Sequence, residues 1–163
     1  MIQQNINGSL AFNRSWAEYK VGFNDSRGNY WLGNDLFSQL TLTNRYKMRF
    51  DLQSRKNTSN WYYAEYSTFI VLSESSNYTL HVSGYSGNAG GDSLSYHNGR
   101  MFTTFDRDND LSSRNCAAAR GGGFWYKTCC GSCVNSYNFY WGDLPGGIKL
   151  RSSRMWLQCK YAQ

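Results

Sequence analysis

Between Arg45 and Leu52 the chain alternates without a fault. Tyr46, Met48, Phe50 and Leu52 fall on one side, and Arg45, Lys47, Arg49 and Asp51 on the other. That two-residue period belongs to a β-strand with one face buried and one face wet. Residues 62–72 and 77–84 read as further strands, the second with Tyr78, Leu80 and Val82 turned inward. Clusters of Asn, Ser and Gly separate these runs, so antiparallel hairpins are expected. Ahead of them, Ser15-Trp-Ala-Glu18 fits a capping box, with Ser at the N-cap and Glu three residues on. Trp16, Tyr19 and Phe23 follow at helical spacing, and Gly22 can end that helix. Asn34 would cap a second short helix, with Leu36, Phe37 and Leu40 facing the core. The run from Ile148 to Leu157 reads as a last strand. No internal repeat is present.

Composition narrows the class. A chain of 163 residues is one domain. At that length roughly two-thirds of the unfolded surface is buried, enough for an ordinary core. Aromatic residues reach 17%, charged residues 17%, and Pro145 is the single proline. This is a compact, loop-rich composition rather than a disordered or coiled-coil one. No apolar run approaches the length of a membrane span. The start, Met1-Ile-Gln-Gln-Asn-Ile-Asn, has no basic region followed by an apolar core, so no signal peptide is expected. Asn-X-Ser/Thr acceptor sites stand at Asn7, Asn13, Asn24, Asn57 and Asn77, which mildly favours a secreted glycoprotein.

Net charge is +6. With so many aromatics it invites a single-stranded nucleic-acid reading. The basic residues are scattered, however. Their densest set, Arg45, Lys47 and Arg49, is one solvated strand face, and the aromatics sit at core-periodic positions. No nucleic-acid partner is expected; attraction to anionic glycans fits the charge better. Nor is catalysis. His81 lies on the polar face of a strand and His97 in a Ser/Asn/Gly loop, both reading as surface histidines without a nucleophile or carboxylate partner.

The chemistry concentrates between Phe102 and Cys133. Asp106, Asp108 and Asp110 alternate; Cys116 follows; then come Gly121-Gly-Gly123, Phe124-Trp-Tyr126, and Cys129, Cys130 and Cys133. Alternating carboxylates suit Ca²⁺, which takes six to eight oxygen ligands from carboxylates, carbonyls and water. The EF-hand alternative fails on spacing: counting from Asp106, Leu111 stands where Gly is needed and Ala117 where a bidentate Glu is needed. The plain alternative is a polar turn whose Asp and Asn side chains cap their own backbone. Cys130-Gly-Ser-Cys133 is a CxxC without a second CxxC, a weak signal for redox or zinc chemistry. One of that pair is expected to bridge Cys159.

In order along the chain stand Asn7-Gly-Ser-Leu-Ala-Phe12, Trp16-Ala-Glu-Tyr19, Gly22-Phe23, Tyr30-Trp-Leu-Gly-Asn34, Ala64-Glu-Tyr66 and Tyr78-Thr-Leu80. Gly84-Tyr-Ser-Gly87, Gly91-Asp-Ser-Leu94, Phe102-Thr-Thr, Asp106-Arg-Asp-Asn-Asp110, Cys116-Ala117, Trp125-Tyr126, Cys129 and Leu150-Arg-Ser-Ser-Arg-Met155 complete the set. This series resembles the fibrinogen C-terminal (fibrinogen-related) domain of fibrinogen chains, ficolins, tachylectins, angiopoietins and tenascins. The resemblance covers nearly the whole chain and lacks the family's N-terminal segment with its own cysteine pair, so residues 1–163 read as an N-terminally shortened domain.

The resemblance implies an α+β fold: a central, mostly antiparallel sheet into which the last strand threads back, two short helices near the N-terminus, and a loop-rich calcium-binding region from about residue 86 to 146. It implies a Cys116–Cys129 disulfide. It implies Ca²⁺ held by the side chains of Asp108 and Asp110 and the carbonyls of Ser112 and Arg114, with Asp106 behind them. It places an acetyl pocket at the backbone amides of Cys129 and Cys130, walled by aromatics including Tyr126. In the family the peptide bond before this cysteine is cis, here Thr128–Cys129. Three departures touch that pocket: Cys130 replaces His, Arg120 stands where acetyl-binding relatives often carry an aromatic, and Trp141-Gly-Asp-Leu-Pro-Gly-Gly147 is short for a pocket wall. Two functions follow. The first is a secreted, calcium-dependent lectin for acetylated carbohydrate in innate defence. The second is an extracellular protein-binding module for adhesion, signalling or clotting. Any oligomer would form through regions outside the matched part.

Overall fold

The computed structural model describes residues 1–6, 12–129 and 131–160. Seven strands form one antiparallel sheet: β1 (Gln3–Ile6), β2 (Phe23–Asn24), β3 (Tyr30–Trp31), β4 (Tyr46–Ser54), β5 (Trp61–Val71), β6 (Leu80–Gly87) and β9 (Leu150–Cys159). Their spatial order is β2-β3-β1-β9-β4-β5-β6. The C-terminal strand thus lies between the N-terminal strand and β4, as the resemblance implied. A two-stranded ribbon, β7 (Ser132–Cys133) with β8 (Tyr140–Trp141), stands apart. The helices are α1 (Trp16–Val21), α2 (Asn34–Thr41) and α3 (Cys116–Arg120).

The alternation in β4 does what its period requires. Met48, Phe50 and Leu52 are buried. The outer face becomes a charge network: Lys47 and Arg49 reach Glu65 at 2.9 and 3.2 Å, and Arg49 reaches Asp51 at 2.8 Å. Arg49 sits directly across from Glu65 in the β4–β5 register and covers the Tyr63 ring at 4.3 Å. Partly exposed pairs of this kind contribute only about 0–1 kcal/mol each; the strand is held by its buried face.

Helix α1 carries the full capping box, Ser15 Oγ accepting from Glu18 N while the Glu18 carboxylate accepts from Ser15 N. In α2 the pattern shifts by one position. Gly33, not Asn34, is the N-cap, and Asn34 Oδ1 accepts from Trp31 Nε1 instead. The buried face is therefore Asn34, Phe37, Ser38 and Thr41, and Leu36 is left exposed, contrary to the sequence expectation. Tyr78 is buried as expected, but in a left-handed turn (φ 51°) ahead of β6 rather than within it.

The core is a stack of aromatics. Trp31 meets Phe37 at 4.5 Å, Tyr19 at 5.4 Å and Trp125 at 6.1 Å, and Phe102 meets Trp125 at 5.1 Å. Each such contact adds about 0.5–1.5 kcal/mol beyond area burial. They fasten the long C-terminal loops to the helices. At Gly123 the two approach so closely that a Cβ would lie 2.7 Å from the Tyr19 ring and 2.9 Å from that of Phe102. A buried polar seam holds the β7 segment to the sheet: Gln3 Nε2 donates to Asn135 Oδ1 at 3.1 Å, and Asn5 Nδ2 to the Val134 carbonyl at 2.8 Å.

Candidate functional site: a disulfide-pinned acidic loop and the cleft beside it

The region from residue 86 to 146 is loop-rich as expected, but it contains α3, β7 and β8. Thr103 pairs with Phe124, so the acidic loop leaves and re-enters the core at one place. Asp106 turns away from the other aspartates. Its Oδ1 accepts from Trp16 N at 2.9 Å and from Thr104 Oγ1 at 2.7 Å, docking the loop onto the first turn of α1.

Asp110 folds the loop around itself. Its carboxylate accepts from Ser112 N at 2.7 Å and from Cys116 N at 2.8 Å. Asp108 Oδ1 accepts from Asp110 N at 3.2 Å. Burial, and then the neighbouring Asp108 charge, push the Asp110 carboxyl above its ordinary range. Asp108 and Arg114 are exposed, and Ser112 is half-buried. Among the described residues no three carboxylate, His or Cys side chains converge as a metal cluster. Two crowded carboxylates in a loop of backbone carbonyls are nevertheless a hard-oxygen donor set, and a cation between them would relieve their repulsion. Asp108 and Asp110 supply carboxylate oxygens, the donor type that Ca²⁺ takes.

The loop is pinned at its end. Asn115 caps α3, accepting from Ala118 N at 2.8 Å, and its Nδ2 donates to the Thr104 carbonyl at 2.9 Å. Cys116, first in α3, is bonded to Cys129, with 5.1 Å between Cα atoms. The expected disulfide is therefore present. The expected bridge to Cys159 is not: Cys159 is a free, exposed thiol on the last position of β9, while Cys133 is disulfide-bonded. Cys133, buried in β7, is already engaged in a disulfide and has no thiol to offer Cys159.

The turn expected to hold an acetyl group departs from the family arrangement. No cis peptide occurs among the described residues, so Thr128–Cys129 is trans, and Cys129 takes a left-handed φ of 61°. Cys130 lies outside the described residues. Tyr126 is fully buried, its hydroxyl donating to the Gly122 carbonyl at 2.7 Å, so its ring offers no wall to a ligand. The turn instead rests on Tyr96, whose hydroxyl bonds Thr128 Oγ1 at 2.6 Å and whose ring Lys127 covers at 5.0 Å.

Behind the turn stands His97, which is buried and not on the surface as its loop sequence implied. Its Nδ1 donates to the Trp125 carbonyl at 2.7 Å and its Nε2 accepts from Ser132 N at 3.1 Å. One imidazole thereby joins the segments on either side of the cysteines. Burial pushes its pKa down to about 4, with the Lys127 charge acting the same way. His81 is exposed as expected.

Arg120, at the end of α3, forms one wall of a cleft of about 370 Å³ with Asn138, Tyr140, Ile148 and Lys149. The short segment after Trp141 builds this cleft by returning on itself, Tyr140 bridging to Lys149. The segment fits because Gly90 (φ 88°) lets the Asp143 carbonyl approach to 1.7 Å of where a Cβ would sit. Sequence reading singled out Arg120 alone; the other members are distant in the chain and follow no motif. A larger hollow of about 720 Å³ lies along β2 and β3, but its acid, Asp25, is consumed by Arg27 N and the backbone and side chain of Asn29 within its own turn.

The seven-stranded antiparallel sheet and the disulfide-pinned acidic loop together define the class of fold. The chain belongs to the fibrinogen C-terminal domain family: the model for the "fibrinogen beta and gamma chains, C-terminal globular domain" matches residues 1–160. It is 44% identical over 147 residues to human microfibril-associated glycoprotein 4, covering 87% of this chain and 56% of that protein. It is 38% identical over 143 residues to human angiopoietin-related protein 7, covering 88% of this chain and 40% of the relative. The chain thus spans about half the length of the first of these relatives, and less of the second. Among solved structures, the fibrinogen-like globe domain of human ANGPTL2 is 34% identical with a TM-score of 0.88, over 98% of this chain and 79% of that one. Lamprey fibrin D-dimer, complexed with the peptide Gly-His-Arg-Pro-amide, is 28% identical with a TM-score of 0.84, over 96% and 59%.

Proposed function

We propose that the chain is an extracellular recognition module that binds a protein partner, with one Ca²⁺ stiffening the acidic loop. The observation that carries this reading is the wall of the cleft. Arg120, at the position where acetyl-binding relatives often carry an aromatic, lines the cleft with its guanidinium, and Tyr126 is sealed in the core. An N-acetyl group needs paired amide donors and an apolar cover together, and the trans Thr128–Cys129 bond removes the family's way of turning the amides outward. The relatives support the same choice: one is named for association with microfibrils, and the lamprey fibrin structure holds a peptide. Ca²⁺ would be held by Asp108, Asp110 and the carbonyls of Ser112 and Arg114, and would supply charge neutralisation that keeps the loop folded against the Cys116–Cys129 bridge.

A glycan array and an array of extracellular matrix proteins, each run with and without EDTA, test the reading. Binding to matrix protein without binding to acetylated glycans is expected. EDTA-sensitive capture of N-acetylated sugars alone would restore the lectin reading. For the ion, calorimetric titration of Asp108→Ala with Ca²⁺ should show no binding, and unchanged affinity would remove the assignment.

A further inference from the structure

The six ion pairs among the described residues involve only Arg14, Lys20, Lys47 and Arg49 as cations. Arg120 and Lys149, which both line the cleft, are not among them. Nor are three cations that continue from Lys149 along one end of the β4–β9 ladder. Arg55 N donates to the Lys149 carbonyl at 2.9 Å, and Arg55 Nε to that of Leu150 at 3.0 Å. Lys56 lies on the Gly147 turn, and Arg151 is exposed beside the β4–β9 bulge. The acid of this segment, Asp143, turns its carboxylate toward Gly91 instead. None of these five cations, two lining the cleft and three beside the residue 147–151 segment, has a carboxylate in ion-pair contact among the described residues.

Between the cations the floor is apolar. Ile148 is 50% exposed, and Tyr140 is half-buried beside it. A strongly hydrated glycan gains little from an aliphatic side chain, whereas a peptide can place an apolar residue there and its acids on the rim. A bare cation pair also raises the association rate for an acidic partner.

We infer that the Arg120–Lys149 cleft is a docking site for an acidic peptide segment of the protein partner, one apolar side chain seated between Tyr140 and Ile148 and flanking carboxylates on Arg120 and Lys149, with Arg55, Lys56 and Arg151 catching further acids. This rests on the protein-binding reading and gives it a charge sign opposite to the Arg-bearing peptide held by lamprey fibrin.

The test uses a capped Asp-Leu-Asp-Asp-Glu peptide, an Asn/Gln counterpart of the same length, and a heparin hexasaccharide, each titrated into ¹⁵N-labelled protein. The acidic peptide should shift signals at residues 138–140 and 148–149, and should bind at least tenfold more tightly than its neutral counterpart at low salt. The double variant Arg120→Glu/Lys149→Glu, with its thermal midpoint checked, should lose at least tenfold in affinity. Ile148→Ser should weaken the peptide while leaving the charge dependence in place. Equal binding of the two peptides, shifts confined to other surfaces, or charge-sensitive binding of heparin without the peptide would each overturn the inference. Matrix-protein binding that persists in the double variant would overturn it too, while leaving the protein-binding reading standing.

Discussion

His97 joins two segments through opposite ring nitrogens, and only the neutral imidazole can do both. The protonated ring has no lone pair for Ser132 N, and it would carry its charge buried and next to Lys127. An unfolded chain takes up this proton near pH 6.5, whereas the folded one resists until about 4. The unfolded state therefore binds more protons in that window, and stability falls as pH drops through it, by roughly 3 kcal/mol once below both values. Urea midpoints at pH 7 and pH 4.5 should separate widely for the native chain and less for His97→Gln; an identical pH dependence in both would assign the effect elsewhere. The residues around His97, Ser95-Tyr-His-Asn-Gly99, read as a surface loop because its partners, Trp125 and Ser132, lie far away in the chain and are backbone atoms without a side-chain signature. Arg120 could be singled out because a charge stood where the family pattern wants an aromatic, but nothing local tied it to Asn138 or Lys149.

Among the elements, α1 is too short to be stable alone and is anchored at its first turn. At its N-terminal end its own capping box and, ninety residues on, Asp106, which accepts from Trp16 N, together satisfy the first turn. Asp106→Ala should cost about 1 kcal/mol and should shift Trp16 fluorescence without abolishing Ca²⁺ binding, since Asp106 faces the helix. Loss of Ca²⁺ binding in that variant would instead make Asp106 a ligand. The Cys116–Cys129 bridge closes a separation of 13 residues, and replacing both cysteines by Ser should lower stability by about 3 kcal/mol; a change under a few tenths would mean the aromatic packing alone holds the turn. Element reading succeeded where one face is buried and the period is strict, as in β4. It slipped by one position in α2, where Gly33 took the cap and Asn34 turned to the Trp31 indole, moving Leu36 into solvent. The pattern of apolar residues was the same; the side-chain bond that chose the register joins two residues whose pairing no spacing rule encodes.

At the scale of the molecule, β9 lies between β1 and β4 and bonds to both. During synthesis the chain emerges at about 5–20 residues per second, N-terminus first. Strands β4, β5 and β6 can pair as they appear, but β1 and β4 each present a bare edge until β9 arrives to pair with both. A nascent chain arrested before Leu150 should be cut rapidly by protease, and one arrested with β9 clear of the ribosome should resist. The position of β9 between β1 and β4 thus makes its own emergence the trigger that closes the sheet, and any product cut before Leu150 carries two unpaired sheet edges that mark it for chaperone capture or degradation.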